Sequence, residues 1–176
     1  ALAHPPDAGT AVVSAGQDRL TAAARAALRT DAGVATLTEP PYVLELSPPR
    51  RGIELTAGSL LAMLAARDPR VTGTRLTSDA PTEGDGTAGT GPDRDLATAL
   101  SAAADRPLVV VVRDAHIAPG QRTRLAAVLA DRPDAVVVGI GTSGDAGLAP
   151  GRYLGTRGGA RVNLTAAADL LVGSRP

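Results

Sequence analysis

The chain contains no cysteine, no lysine, no phenylalanine and no tryptophan. Without cysteine, disulfides, thiolate nucleophiles and zinc–thiolate sites are excluded, and the redox compartment stays open. Without lysine, every basic residue is arginine. Together with the abundance of Ala, Gly, Pro and Val, this points to a GC-rich coding sequence. Tyr42 and Tyr153 are the only aromatic residues, so the core must be built from Leu, Val, Ile and Ala. Autonomous sugar-binding and single-strand nucleic-acid modules use aromatic stacking platforms, and almost none is on offer here.

An excess of either charge is also missing: eighteen basic residues balance eighteen acidic ones. Nothing in that balance favours nucleic acid or an anionic membrane as partner. The apolar runs are only a few residues long, too short to span a bilayer. The opening "ALAHPPDAG" lacks the basic and apolar regions of a signal peptide, which leaves cytoplasmic and secreted locations both open. It begins with Ala, as expected of a piece of a longer protein.

What is present suffices for one domain. The 176 residues can enclose one real core but not two ordinary ones. Residues 16–30 have helix composition, with Leu20, Ala24, Ala27 and Leu28 on one face. "YVLELS", from Tyr42, predicts a strand stopped by two prolines. "LTAGSLLAMLAARD" predicts a helix, capped by Thr56, with Leu60, Leu61 and Leu64 as its stripe. Val71 to Ser78 reads as a strand. Asp79 to Gly91, rich in Gly, Thr and acid, reads as a mobile loop. Pro92 suits the first turn of a helix running to about Ala104, with Leu96, Leu100 and Ala103 inward. "LVVVV", Leu108 to Val112, predicts a strand, "PGQRTRLAAVLAD" a helix, and Ala135 to Ile140 another strand. "RYLGTRG" suggests a short edge strand. Asn163 is a candidate cap for a last helix ending at Gly173.

Strands alternate with helices and are continuous apolar runs. That pattern predicts a three-layer α/β/α sandwich around a mostly parallel sheet of about four to six strands. The unit from Leu108 to Ile140 is a βαβ crossover, expected to be right-handed.

In such sheets ligands bind beyond the carboxyl ends of the strands. Those ends bring Arg50 and Arg51, Ser78 and Asp79, then Arg113, Asp114 and His116, then "GIGTSG", Gly139 to Gly144. The last is a literal G-x-G-x-x-G. A dinucleotide site needs those glycines to open a helix, with an acid about twenty residues on. Here Pro150 and further glycines follow, and Arg161 and Asn163 stand where the acid is needed, so a tight loop is the expectation. Asp114 and His116 can meet as a base and its orienting carboxylate. No G-x-S-x-G elbow exists to supply a nucleophile. His4 lies in a Pro-rich terminus where solvation is expected. No clustered His, Asp and Glu set suggests a metal, and no cofactor is expected. Glu45, Glu83 and Asp85 form no evident carboxylate pair for glycosidic cleavage. The candidates that remain, Arg113, Asp114 and His116, are read as a binding or domain-contact set rather than as a catalytic one.

"RPLVVVVRDAHIAPGQRTRLAAVLADRPDAVVVGIG", followed by "GRYLGTRGGARVNLTAAADLLVG", resembles the C-terminal α/β sandwich domain of glycoside hydrolase family 3. The nearest type is the two-domain bacterial β-N-acetylglucosaminidase, with an actinobacterial flavour. The resemblance is best over residues 106–174 and looser over 16–78. It implies an accessory domain spanning residues 1–176, whose partner is an N-terminal (β/α)8 barrel absent from this chain. The implied carbohydrate substrate sits at the interface between the two. In that family the nucleophilic Asp, and in this type the His–Asp acid/base pair, lie on the barrel. Other branches place an acid/base Glu on this second domain, but no Glu here stands in a matching motif. A free-standing nucleotide- or anion-binding domain using "GIGTSG" is the alternative.

Overall fold

A computed structural model describes residues 8–47, 58–77 and 91–173. Helix α1, Ala8–Ala27, leads to β1, Arg29–Thr30, and β2, Tyr42–Ser47. Then follow α2, Leu60–Ala65, β3, Thr72–Thr77, and α3, Gly91–Ala103. Next come β4, Leu108–Val112, α4, Pro119–Asp131, and β5, Val136–Gly139. A 3-10 helix, Ser143–Leu148, connects to β6, Tyr153–Gly155, and α5, Arg161–Val172, closes the fold.

The six strands lie in the order β1-β6-β5-β4-β2-β3. Every neighbouring pair is parallel except β1 with β6. β4 is central and all five of its residues are buried, as its unbroken Val run requires. One face of the sheet packs Leu44, Val110 and Val137 against Leu96 and Ala99 of α3 and Leu125 and Val128 of α4. The other packs Val43, Val109 and Val138 against Leu60 and Leu64 of α2 and Leu164, Ala168 and Leu171 of α5. The three-layer α/β/α sandwich is therefore present.

Several local expectations change. α1 begins at Ala8, earlier than the helix composition of residues 16–30 suggests. Ser59 caps α2, its hydroxyl accepting from Ala62 N, while Thr56 lies outside the described residues. The loop expected at 79–91 also lies outside them, except for Gly91, which opens α3. β6 is not an edge strand: two exposed residues, Arg29 and Thr30, add an antiparallel strand beyond it. A strand of two polar residues has no periodicity to reveal it. Asn163 does not cap α5. Ala160 holds that place, and the Asn163 amide reaches the carbonyl of Gly158 at 3.4 Å instead.

Glu45 is 5% exposed inside β2, and both of its carboxylate oxygens are used. Oε1 accepts from Ser59 Oγ at 2.9 Å and from Leu61 N at 3.0 Å, at the start of α2. Oε2 accepts from Nε and Nη2 of Arg75 on β3. The carboxylate thus ties β2 to a helix N-terminus and to the edge strand, and is structural. Glu45→Ala leaves the donors of Ser59, Leu61 and Arg75 without it, and should lower stability by about 3 kcal/mol in urea unfolding. An unchanged midpoint would refute that role.

Candidate functional site at the carboxyl edge

The two ends of the sheet differ. At the amino edge, arginines are engaged with the backbone. The Arg106 guanidinium donates to the carbonyls of Pro40, Pro41 and Arg70 and to Thr72 Oγ1. Arg132 donates to the carbonyls of Ala104 and Arg106 and to Asp134. A cleft of about 490 Å³ opens there, but Arg67 and Arg70 on its wall are already paired with Asp169 and Asp68. Those cations are occupied in holding the fold.

The carboxyl edge has the sequence candidates. β2 leads to α2 on one face and β4 to α4 on the other, so the chain diverges where these neighbouring strands end. Such a divergence is where ligands lodge in open α/β sheets. Arg113, Asp114 and His116 stand at this point. Arg50, Arg51, Ser78 and Asp79 lie outside the described residues.

The structure brings these residues to one loop, but Asp114 and His116 are not paired with each other. Asp114 has left-handed backbone, φ 53°, and its Oδ1 accepts from Thr142 N and Thr142 Oγ1, both at 2.7 Å. His116 pairs instead with Asp145, which is fully buried. Asp145 Oδ1 accepts from His116 N at 2.9 Å and lies 2.7 Å from His116 Nδ1. With the carboxylate ionised, Nδ1 carries the proton and Nε2 keeps its lone pair, the orientation a general base or hydrogen-bond acceptor requires. Arg113 N donates to the buried Gln121 side chain at 2.8 Å, while the Arg113 guanidinium has no partner among the described residues. Ile117, next to His116, is 73% exposed. Asp145 could not be found from sequence: it lies 29 residues from His116, at a distance set only by neighbouring strands.

The "GIGTSG" glycines have a packing explanation. A Cβ at Gly139 would strike the Tyr153 phenol, one at Gly141 the Asp114 carboxylate, and one at Gly144 the His116 ring. The glycines admit side chains of this chain. A carboxylate presses on the middle one, and a 3-10 helix rather than an α-helix follows. That is a poor cradle for a pyrophosphate. Among the described residues, no group of three or more His, Cys, Asp or Glu could hold a metal ion. No helix among them is long and apolar enough to cross a membrane.

No family model and no curated protein matches the chain. Among solved structures, it is similar to one described as "a unique GCN5-related glucosamine N-acetyltransferase region" in "the fungal multi-domain GH3 beta-N-acetylglucosaminidase". The TM-score is 0.59 at 15% sequence identity, covering 97% of this chain and 19% of the fungal one. This likeness shows the fold, an α/β sandwich with a mostly parallel six-stranded sheet.

Burial works against ionisation of Asp114, but the two Thr142 hydrogen bonds, helped by the positive charge of Arg113 and by that of His116 when it is protonated, outweigh it and hold its pKa below the usual carboxylate value. A depressed carboxylate pKa adds stability above the unfolded value, and that stability is lost as pH falls through the folded value. Asp114→Asn tolerates the left-handed backbone but lacks the charge. It should be less stable than wild type by about 1–2 kcal/mol at neutral pH. The gap should close below about pH 4. A gap that is constant across that range in melting curves would contradict this assignment.

Proposed function

We propose that the chain is the C-terminal accessory domain of a family 3 glycoside hydrolase, of β-N-acetylglucosaminidase or β-glucosidase kind. It packs on a catalytic (β/α)8 barrel of the same polypeptide, and its carboxyl edge helps to shape the rim of the carbohydrate cleft. The observation that carries this reading is the match of almost the whole chain to about a fifth of a multi-domain enzyme of that name. The resemblance read from residues 106–174 points the same way. The two-domain bacterial type rests on that resemblance alone.

Arg113, Asp114 and His116 are the contact set in this reading. Ile117 adds an exposed apolar side chain to the same loop, of the kind a docked neighbour covers. The His116–Asp145 pair orients a base, but the sequence supplies no nucleophile elbow beside it.

The isolated chain should neither hydrolyse aryl N-acetyl-β-glucosaminides nor transfer acetyl from acetyl-CoA to glucosamine. Robust turnover in either assay would replace the accessory reading with a catalytic one. In the full-length enzyme, His116→Ala should raise KM or loosen domain docking, and leave kcat within a few-fold of wild type. A fall of several orders of magnitude in kcat, with folding intact, would place His116 in the chemistry.

A further inference from the structure

The sheet has a second divergence, between β5 and β6. After β5 the chain passes to the 3-10 helix, where Ala146 and Leu148 join the face of α3 and α4. After β6 it passes to α5 on the opposite face. Neighbouring parallel strands whose exits part in this way leave a crevice at their carboxyl ends. This crevice is lined by Gly141, Thr142 and Ser143 on one side and Tyr153, Gly155 and Arg157 on the other, with Arg29 at its edge.

Its floor follows from register. Gly139 pairs with Gly155, and Gly155 with Arg29, so the three form one row on one face. Tyr153 is two residues before Gly155 and shares that face. Its phenol leans along the strand over both glycines: a Cβ on Gly139 would meet its hydroxyl, and one on Gly155 would lie 2.9 Å from Cε1. Tyr153 is 1% exposed. Its N–H is bonded to Asp31, yet its hydroxyl has no hydrogen-bond partner among the described residues. Unlike Gln121 Nε2 and Asp145 Oδ2, that hydroxyl is not sealed from outside. It opens on a notch of about 10 Å³, room for a single oxygen atom.

Two cations flank the notch. Arg29 and Arg157 both line it, and neither guanidinium has a partner among the described residues. Arg157 is held in left-handed backbone, φ 56°, a conformation that costs energy outside glycine. Three carboxylates are also near, among them Asp31, which accepts from the N–H groups of Gly151 and Tyr153. Asp145 is paired with His116, and Asp114 with Thr142. With Arg113 counted, cations and anions are equal in number, and each of the three carboxylates is already engaged within the fold. Burial raises the Tyr153 pKa, and Asp145, Asp114 and Asp31 add to this against the opposing effect of Arg29, so the phenol remains a proton donor.

We infer that Tyr153 Oη, Arg29 and Arg157 form a binding site for a small oxyanion, a carboxylate or phosphate group. One of its oxygens seats on the phenol, and the two guanidinium groups hold the remaining charge. The site belongs to this chain alone and stands whether or not the glycosidase reading holds.

The test titrates the 176-residue chain separately with inorganic phosphate and with acetate, against sodium chloride of equal ionic strength. Backbone amide shifts and melting temperature are followed. Tyr153→Phe removes only the hydroxyl. Arg29→Gln combined with Arg157→Gln removes the charge at exposed positions. Circular dichroism without ligand establishes that both variants fold. At least one oxyanion should bind saturably, shift the amides of residues 141–143 and 155–157, and raise the melting temperature. Each variant should weaken that binding about tenfold or more. Binding of phosphate alone identifies a phosphate ester as the natural ligand; equal or tighter binding of acetate identifies a carboxylate. No binding of either probe beyond chloride overturns the proposal. So does binding that survives either variant.

Discussion

The carboxyl edge depends on one steric trade. Gly139 and Gly155 stand in register on β5 and β6, and the phenol of Tyr153 fills the space their missing side chains leave. In a chain with two aromatic residues this ring is the largest fully buried side chain among the described residues. It closes the top of one core layer, beside Val112 and Val137. Because the ring runs along the strand, its hydroxyl arrives at the end of the sheet rather than in the core. A leucine there would end the core but leave no donor. A side chain on either glycine would push the ring out and open the layer. Packing and chemistry are therefore set by the same three residues.

The remaining glycines of "GIGTSG" extend this logic to the neighbouring strand. Gly141 receives the Asp114 carboxylate and Gly144 the His116 ring, so the loop after β4 is keyed into the loop after β5. Thr142 and Asp145 return the contact with hydrogen bonds to the same two residues. Four polar groups from two loops hydrogen-bond to one another, with Asp145 Oδ2 left buried and without a partner, and this network holds this edge of the sheet in one geometry. The spacing of a phosphate-binding motif has arisen here from a different cause, the need for small residues under two polar side chains.

The architecture was legible because burial on both faces writes itself into sequence. The Val runs of β4 and β5 and the Leu and Ala stripes of α3, α4 and α5 each report a face covered by another layer. Elements without such a stripe were not legible. β1 has two exposed residues, and the caps of α2 and α5 turn on local backbone geometry. The site was half legible. Position at a strand end singled out Arg113, Asp114 and His116, but partnership across strands is set by register. Nothing in sequence places Asp145 under His116, Thr142 on Asp114, or Arg29 beside Gly155.

The distribution of arginine joins these observations. With no lysine, the same side chain must both bind the backbone and present charge. Arginine can do the first because its planar fork satisfies several carbonyls at once. At the amino edge Arg106 and Arg132 do this, gathering the carbonyls that precede β2 and β4. At the carboxyl edge Arg29, Arg113 and Arg157 face two divergences of the chain, and their guanidinium groups have no partner among the described residues. Desolvating an unsatisfied cation is costly, so such groups are stable where water or an incoming group can reach them. At one end of the sheet the arginines are thus committed to the fold, and at the other they are left receptive. Any neighbouring domain or small anion that engages this chain finds at that end the donors the fold has not used.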